Sequence, residues 1–413
     1  MTRAAQHALN RMTTLIVLAI TLAATVALCA ATTLVAPASQ AARHAPSRST
    51  TPSSAGILTL DPGDIDATPD AWKGGYLVLQ PWEYARIPAL KAKNPNLKIL
   101  MYKDVSATRK DVEWATGIAS TGVTYQEAAA NNWLLTDAGG RVIEWSDWTG
   151  LYPADIGRAG YQQRWGDNVL AELRKYHWDG VMMDDTLTYL SHPTVGDRKS
   201  VQIPTDQAMY DATESFLDHV AGRIKQAGFM AVPNVTVEWN TWRAVMEDWT
   251  HYVSGWENEY FVKWGLDRSG ARFVGADWQW KMEMSAWLAD RNVPLLAITY
   301  SNRDDLAIQT YHRATWLLTW NGRTGASIFV PYEANVDHWT ARSTVAIGTP
   351  TETRHVVGST GVWRRNYTAG TTLVNPTTQA RSIDVGPGYY RLNGRQVTSV
   401  NVPALSGVIL RRS

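Results

Sequence analysis

The chain has 413 residues, more than one compact core usually holds, so a large domain followed by a small one is expected. Its 39 Lys and Arg balance 38 Asp and Glu at a formal net charge of +1, which points away from nucleic acid or an anionic membrane as partner. The 20 Trp and 17 Tyr against 5 Phe favour flat apolar faces with a polar handle, a surface suited to sugar rings.

Arg3 and Arg11 precede an apolar stretch from Leu15 to Ala36, and small residues follow at Ala36-Pro37-Ala38 and Ser39-Gln40-Ala41. Residues 1–41 therefore read as a secretory signal peptide, with an uncleaved anchor as the alternative because the stretch is long enough to span a bilayer. Cys29 is the single cysteine, and Leu28 before it is not the small residue a lipoprotein signal needs. Cleavage would leave a mature chain with no thiol for a disulfide, a nucleophile or a metal. Residues 42–55 are rich in Ser, Thr and Pro and read as a flexible linker.

From 56 to 345 apolar strand-like runs alternate with helical periods. The expected strands are Tyr76–Gln80, Leu97–Lys103, one ending near Asp155, Gly180–Asp184, Phe229–Asn234, Tyr252–Glu257, Val293–Tyr300 and Ala326–Val330. Met209, Thr213, Phe216, Leu217, Val220 and Ile224 share one helical face, with Gly228 as the stop. Trp165, Val169, Leu173 and Tyr176 share another, and the segments from Trp278 to Asp290 and Asp304 to Trp320 also read as helices. Eight strands alternating with helices predict a (β/α)8 TIM barrel. No glycine-rich phosphate loop follows an early strand, which speaks against a nucleotide-binding sheet. Residues 346–413 change to short strand-like pieces separated by turns, among them Asn393-Gly394, and predict a small C-terminal antiparallel β-sandwich domain that covers part of the barrel.

Functional residues of such a barrel lie at the carboxyl ends of its strands. The tips read here are Gln80 with Trp82, Tyr102-Lys103-Asp104, Asp155, Asp184-Asp185, Asn234, Trp256-Glu257-Asn258-Glu259, Tyr300 and Tyr332. In Asp179-Gly180-Val181-Met182-Met183-Asp184-Asp185 an apolar run meets two acids, and charge at the end of a buried strand is tolerated best where it opens into a wet cleft. Asp184 and Glu257, two strands apart, form a candidate pair: one ionised carboxylate as nucleophile or base, and one protonated carboxyl as general acid. Side chains alternate along a strand, so only one of Asp184 and Asp185 points to the axis. Asp184 is preferred over Asp185 and Glu257 over Glu259, with Asp185 and Glu259 kept as catalytic alternatives. Gln80, Trp82, Tyr102, Lys103, Asn234, Trp256, Tyr300 and Tyr332 are the expected substrate-binding residues. Asp179 precedes its strand and is expected to be structural.

Tyr102-Lys103-Asp104, Tyr152-Pro153-Ala154-Asp155-Ile156-Gly157, Trp178–Asp185 and Gly255-Trp256-Glu257-Asn258 together resemble the glycosyl-hydrolase-like barrels of group fifteen. The strand-four pattern also resembles that of family 114 endo-polygalactosaminidases and family 66 dextranases. The resemblance covers most of 56–413, including Leu373-Val374-Asn375-Pro376 in the β domain. It implies a glycoside hydrolase in which the strand-four acid, here Asp184, is nucleophile or base and a strand-six acid, here Glu257, is the proton donor.

The leading expectation is thus a secreted, monomeric glycoside hydrolase acting on a polysaccharide or oligosaccharide. No cofactor or metal is expected, nor nucleic acid, nor a membrane once the signal is cleaved. A non-catalytic carbohydrate-binding barrel is the first rival. A metal-dependent esterase or deacetylase built on Asp184, Asp185 and His192 is the second, although no H-E-x-x-H or H-x-H spacing occurs.

Overall fold

The structure, a computed structural model, describes residues 58–60, 65–110, 118–192 and 199–412. The signal peptide, Cys29 and the linker lie outside the described residues. The chain enters the barrel through β1 (Leu58–Leu60), β2 (Tyr76–Leu79) and β3 (Lys98–Asp104). An insert carries β4 (Ala107–Arg109) and β5 (Leu151–Pro153). The barrel resumes with β6 (Gly180–Thr186), β7 (Met230–Val235), β8 (Trp256–Asn258), β9 (Leu295–Ser301) and β10 (Ala326–Pro331). Neighbours in the order β1-β2-β3-β6-β7-β8-β9-β10 are parallel, and β1 lies beside β10 at the closing edge.

One expected barrel strand is therefore a correction. The segment before Asp155 is extended, but it pairs antiparallel with β4 outside the barrel, through Ala107↔Pro153 and Thr108↔Tyr152. An apolar tripeptide forms a strand in either setting, and its pattern does not say which partner it meets. The missing eighth place is taken by β1, three residues that are too short to register as a period. The two differences cancel, so β6 is the fourth barrel strand and β8 the sixth, as expected.

Alternation along each strand divides the core. Val78, Leu100, Met182, Val232, Leu296, Ile298, Ile328 and Val330 fill the barrel interior. Leu77, Ile99, Met101, Val181, Met183, Ala231 and Ala297 face outward into a second core under the helices. The expected face Met209, Thr213, Phe216, Leu217, Val220 and Ile224 is buried throughout, although its helix passes through a π turn at Leu217–Ala221. Gly228 ends that segment with φ +89. Asp179, at the amino end of β6, is structural: its Oδ2 accepts from Lys91 Nζ at 2.6 Å and Ile99 N at 2.8 Å.

The antiparallel β domain follows, with strands β11 (His355–Val356), β12 (Trp363–Tyr367), β13 (Gly370–Asn375), β14 (Arg381–Tyr390), β15 (Gln396–Val402) and β16 (Ser406–Arg412). They are hydrogen-bonded in one sheet, order β11-β12-β13-β16-β14-β15, over a separate core of Leu373, Ile383, Val385, Val400, Val402, Val408 and Leu410. The opposite face of β13 and β16 packs on the Leu306–Thr319 helix, which is consequently buried from Ile308 to Thr319. Arg365 Nη1 donates to the carbonyls of Leu317, Leu318 and Trp320 at 3.4, 3.0 and 2.7 Å, closing the helix end that would otherwise present unpaired acceptors.

Candidate active site

Asp184 points inward because Val181 and Met183 face the outer core and Met182 the interior. Tyr102, an inward residue of β3, donates its hydroxyl to Asp184 Oδ2 at 2.6 Å. The Asp185 amide donates to Asp184 Oδ1 at 2.9 Å. Asn234, at the end of β7, donates from one Nδ2 to Asp184 Oδ1 at 2.9 Å and to Glu259 Oε2 at 3.1 Å. Two oxygens bonded to one nitrogen can be at most about 6 Å apart. Tyr300 on β9 donates its hydroxyl to the other oxygen of Glu259. Asp184, Asn234 and Glu259 all remain partly open to solvent.

Both carboxyls are raised. Burial, then the neighbouring Asp185 charge, raises the Asp184 pKa to about 6 against the opposing bonds from Tyr102 and Asn234. Burial, then the Asp184 charge, raises Glu259 to about 7 against Tyr300 and Asn234. Both carboxyls are thus held above the ordinary carboxylate range, each by burial first and by a neighbouring acid second.

Glu257 is sealed from solvent. It faces inward, but in register with Asn234 and Leu296, one layer below Glu259. It is 1 % exposed, and neither of its oxygens has a hydrogen-bond partner among the described residues. Burial, then Glu259 and Asp184, pushes its carboxyl well above the usual range. Glu257 lies within β8 and Glu259 just past its carboxyl end; their height relative to the barrel rim separates them, and that height is not written in local sequence.

The remaining expected site residues divide. Tyr102, Asn234 and Tyr300 hold the carboxylates directly. Tyr332 packs on the interior cluster just beyond β10. Gln80 follows β2 with a buried Oε1 that has no partner among the described residues, and Trp82 is half-buried in the adjoining 3-10 turn. Two expectations are corrected. Lys103 alternates away from Tyr102 and is sealed behind the sheet, where Nζ meets Glu172 at 2.9 Å and the Ala119 carbonyl at 2.6 Å. Trp256 alternates away from Glu257 into the outer core, donating Nε1 to Thr250 Oγ1 at 3.0 Å.

Asp185 serves as a support. It follows Asp184 in a left-handed conformation, φ +51, at an irregularity in the β6–β7 register. Its Oδ1 lies 2.9 Å from His192 Nε2, and His192 Nδ1 lies 2.9 Å from Asp147 Oδ2. Trp145 stacks on the imidazole with centroids 4.1 Å apart. Burial alone would depress His192, but the Asp185 charge and the bonds to Asp147 and Asp185 outweigh it and carry its pKa up to about 10. Both ring nitrogens are thus engaged by carboxylate oxygens. Among the described residues no group of three or more His, Cys, Asp or Glu is arranged to hold a metal ion. Asp104, sealed beneath, shares a hydrogen bond with Asp185; burial, then Asp185 and Asp184, lifts its carboxyl well above the usual range.

Tyr260, Asp147 and Trp145 escaped the sequence reading. Tyr260 follows Glu259 at φ +53, the same left-handed step that Asp185 makes after Asp184. The one local signal for Asp147 is the Trp145-Ser146-Asp147-Trp148 run, an acid set between indoles.

A parallel barrel with two partly open acids at its carboxyl end is an arrangement that glycoside hydrolases use. The chain belongs to hypothetical glycosyl hydrolase family 15, whose family model matches residues 91–371. No curated protein matches the chain. Among solved structures it is similar to the glycoside hydrolase domain of PelA from Pseudomonas aeruginosa, at 14% identity and TM-score 0.45 over 67% of this chain and 94% of that one. It is also similar to Aspergillus fumigatus Ega3 in complex with galactosamine, at 12% identity and TM-score 0.42 over 71% and 97%. An Anoxybacillus alpha-amylase is similar at 10% identity and TM-score 0.48 over 87% and 98%.

Proposed function

We propose that the chain hydrolyses a polysaccharide or oligosaccharide with net retention, Asp184 acting as nucleophile and Glu259, rather than Glu257, as general acid and base. The observation that carries this reading is the single Asn234 amide bonded to both carboxylates. It holds their nearest oxygens within about 6 Å, which suits the carboxyl separation of about 5–5.5 Å used for retention. Glu259 donates its proton to the glycosidic oxygen as the C1–O bond breaks, and Asp184 attacks C1 to form a glycosyl ester. Glu259, now ionised, takes a proton from water; the resulting hydroxide attacks C1 and releases Asp184. Tyr102, Asn234 and the Asp185 amide keep the Asp184 carboxylate aimed by donating to it. Such donors favour its ionised form, as a nucleophile needs.

Secretion and cleavage within 36–41, with a catalytic unit over 56–345 and a stabilising β domain over 346–413, complete the proposal. Its support is the apolar Leu15–Ala36 stretch and the small residues that follow it at 36–41.

The test is hydrolysis of a panel of polysaccharides and 4-methylumbelliferyl glycosides, with proton NMR of the first-formed anomer. Asp184→Asn and Glu259→Gln should lose polysaccharide hydrolysis, and the product anomer should match the substrate. Full activity in either variant, or an inverted product, overturns the assignment.

A further inference from the structure

The loop after Glu259 carries a large aromatic surface that packing leaves uncovered. Trp264 is 55 % exposed, although Phe261 and Val262 just before it are sealed. Its backbone is nevertheless firmly braced. Trp264 N donates to the Ala271 carbonyl at 2.9 Å. Lys263, itself 1 % exposed, donates from Nζ to the carbonyls of Trp264 and Gly265 at 2.7 and 2.9 Å. Gly270 approaches so closely that a Cβ there would lie 1.6 Å from the Trp264 carbonyl oxygen. Phe273 meets the indole edge-on at 5.2 Å, Leu266 sinks into the barrel interior cluster, and Arg268 N donates to Asn302 Oδ1 at 2.9 Å beyond β9. A side chain already held in place loses little freedom when a ligand stacks on it.

The rings also form a path. Tyr300, whose hydroxyl bonds Glu259, lies 5.8 Å from Tyr260, and Tyr260 lies 5.5 Å from Trp264. A chain of ring contacts thus runs from the buried Tyr300 beside the acid to the exposed Trp264. We propose that Trp264 is a preformed platform for a sugar ring on the leaving-group side of the cleaved bond, so that the substrate continues as a glycan beyond that bond. This rests on the reading of Glu259 as general acid: the acid protonates the bridging oxygen and therefore faces the leaving group, and the aromatic path begins at that acid. The apolar face of a pyranose matches the indole face, while its hydroxyl rim stays in water.

The experiment pairs binding with kinetics. The full chain carrying Asp184→Asn is run through native gels containing soluble xylan, galactomannan, dextran or glycol chitin. Adding Trp264→Ala should weaken binding to the retarding glycan roughly tenfold, and Trp264→Phe should recover most of it. In the active chain, Trp264→Ala should lower kcat/KM on the matching oligosaccharide about tenfold more than on its 4-methylumbelliferyl glycoside, whose leaving group is not a sugar. Equal retardation with and without Trp264, equal losses on both substrates, or no retardation of the Asp184→Asn chain by any of the four glycans overturns the platform. Trp264-dependent binding alongside full activity in Glu259→Gln keeps the platform and removes the assignment of the acid instead.

Discussion

The mouth of the barrel and its flank against the β domain treat buried polar groups in opposite ways. On the flank, unlike groups meet. Arg365 closes the carbonyl end of the Leu306–Thr319 helix, the Tyr367 hydroxyl donates to Leu317 O, and Thr372 Oγ1 donates to Ala314 O at 3.2 Å. At the mouth, like meets like: Asp104, Asp184, Asp185, Glu257 and Glu259 crowd together, and burial and mutual repulsion raise Asp104, Asp184, Glu257 and Glu259. Two residues beside the pair, Asp185 and Tyr260, also occupy left-handed backbone. Matched polar groups are what stability alone selects; crowded acids and strained backbone persist where chemistry needs them. The flank is thus built for packing, and the mouth is where the proposed chemistry lies.

The largest expected effect separates the two. Asp184→Asn or Glu259→Gln should cut hydrolysis by about 10³-fold or more while leaving thermal stability equal or higher, because each removes a crowded ionisable carboxyl. Coupled activity and melting measurements check it, and a fall in Tm parallel to the fall in activity would erase the contrast. The mirror experiment is Arg365→Ala. Losing a charged donor from three helix-end carbonyls should cost about 2–3 kcal/mol in denaturant unfolding, with kcat/KM at 25 °C within about twofold. Gly407→Ala probes the same flank more sterically, since its Cβ would lie 2.6 Å from that of Ala314; a cost of about 1–3 kcal/mol is expected.

Glu257→Gln should keep hydrolysis within about threefold, in contrast to Glu259→Gln two residues away. Its signature is pH-dependent stability. The folded-state pKa of Glu257 is raised, so the unfolded chain releases that proton first, and wild-type stability falls as pH climbs above the ordinary value of 4.5. The Gln variant lacks this loss, so its Tm should gain on wild type from pH 4 to pH 8. A constant Tm difference would mean that Glu257 is not held neutral.

The smallest effect concerns the support. The acid limb of kcat/KM reports Asp184 near pH 6, facing Asp185, Asp104, Glu257, Glu259, Tyr102 and Tyr300. Asp185→Asn removes a charge that raises Asp184, so that limb should move to lower pH. His192→Gln removes the cation that offsets Asp185, so it should move to higher pH. Opposite shifts of a fraction of a pH unit, read from pH–rate profiles, distinguish electrostatic support from simple packing; shifts in one direction, or none, would assign His192 to structure alone.

Much of this contrast was legible in the chain. The helical face from Met209 to Ile224, the Gly180–Asp184 run and the Asn393-Gly394 turn, where Gly394 adopts φ +85, all depend on periods and local conformations of a few residues. Lys103 and Trp256 were misassigned because a strand tip was read as a whole, whereas alternation sends every second residue behind the sheet. Asp147 and Trp145 were hidden because an insert folded back antiparallel brings them to His192, and no local pattern encodes that return.

By itself, the sequence determined the class of fold, the family resemblance, and Asp184 as the inward acid of the fourth strand, because alternation and an apolar run are properties of neighbours along the chain. Only the tertiary structure decided which acid of the sixth strand stands opposite it. Glu257 lies within β8 and Glu259 just past its end, and what separates them is that the closed barrel seals Glu257 while the Asn234 amide reaches Glu259 at the open end.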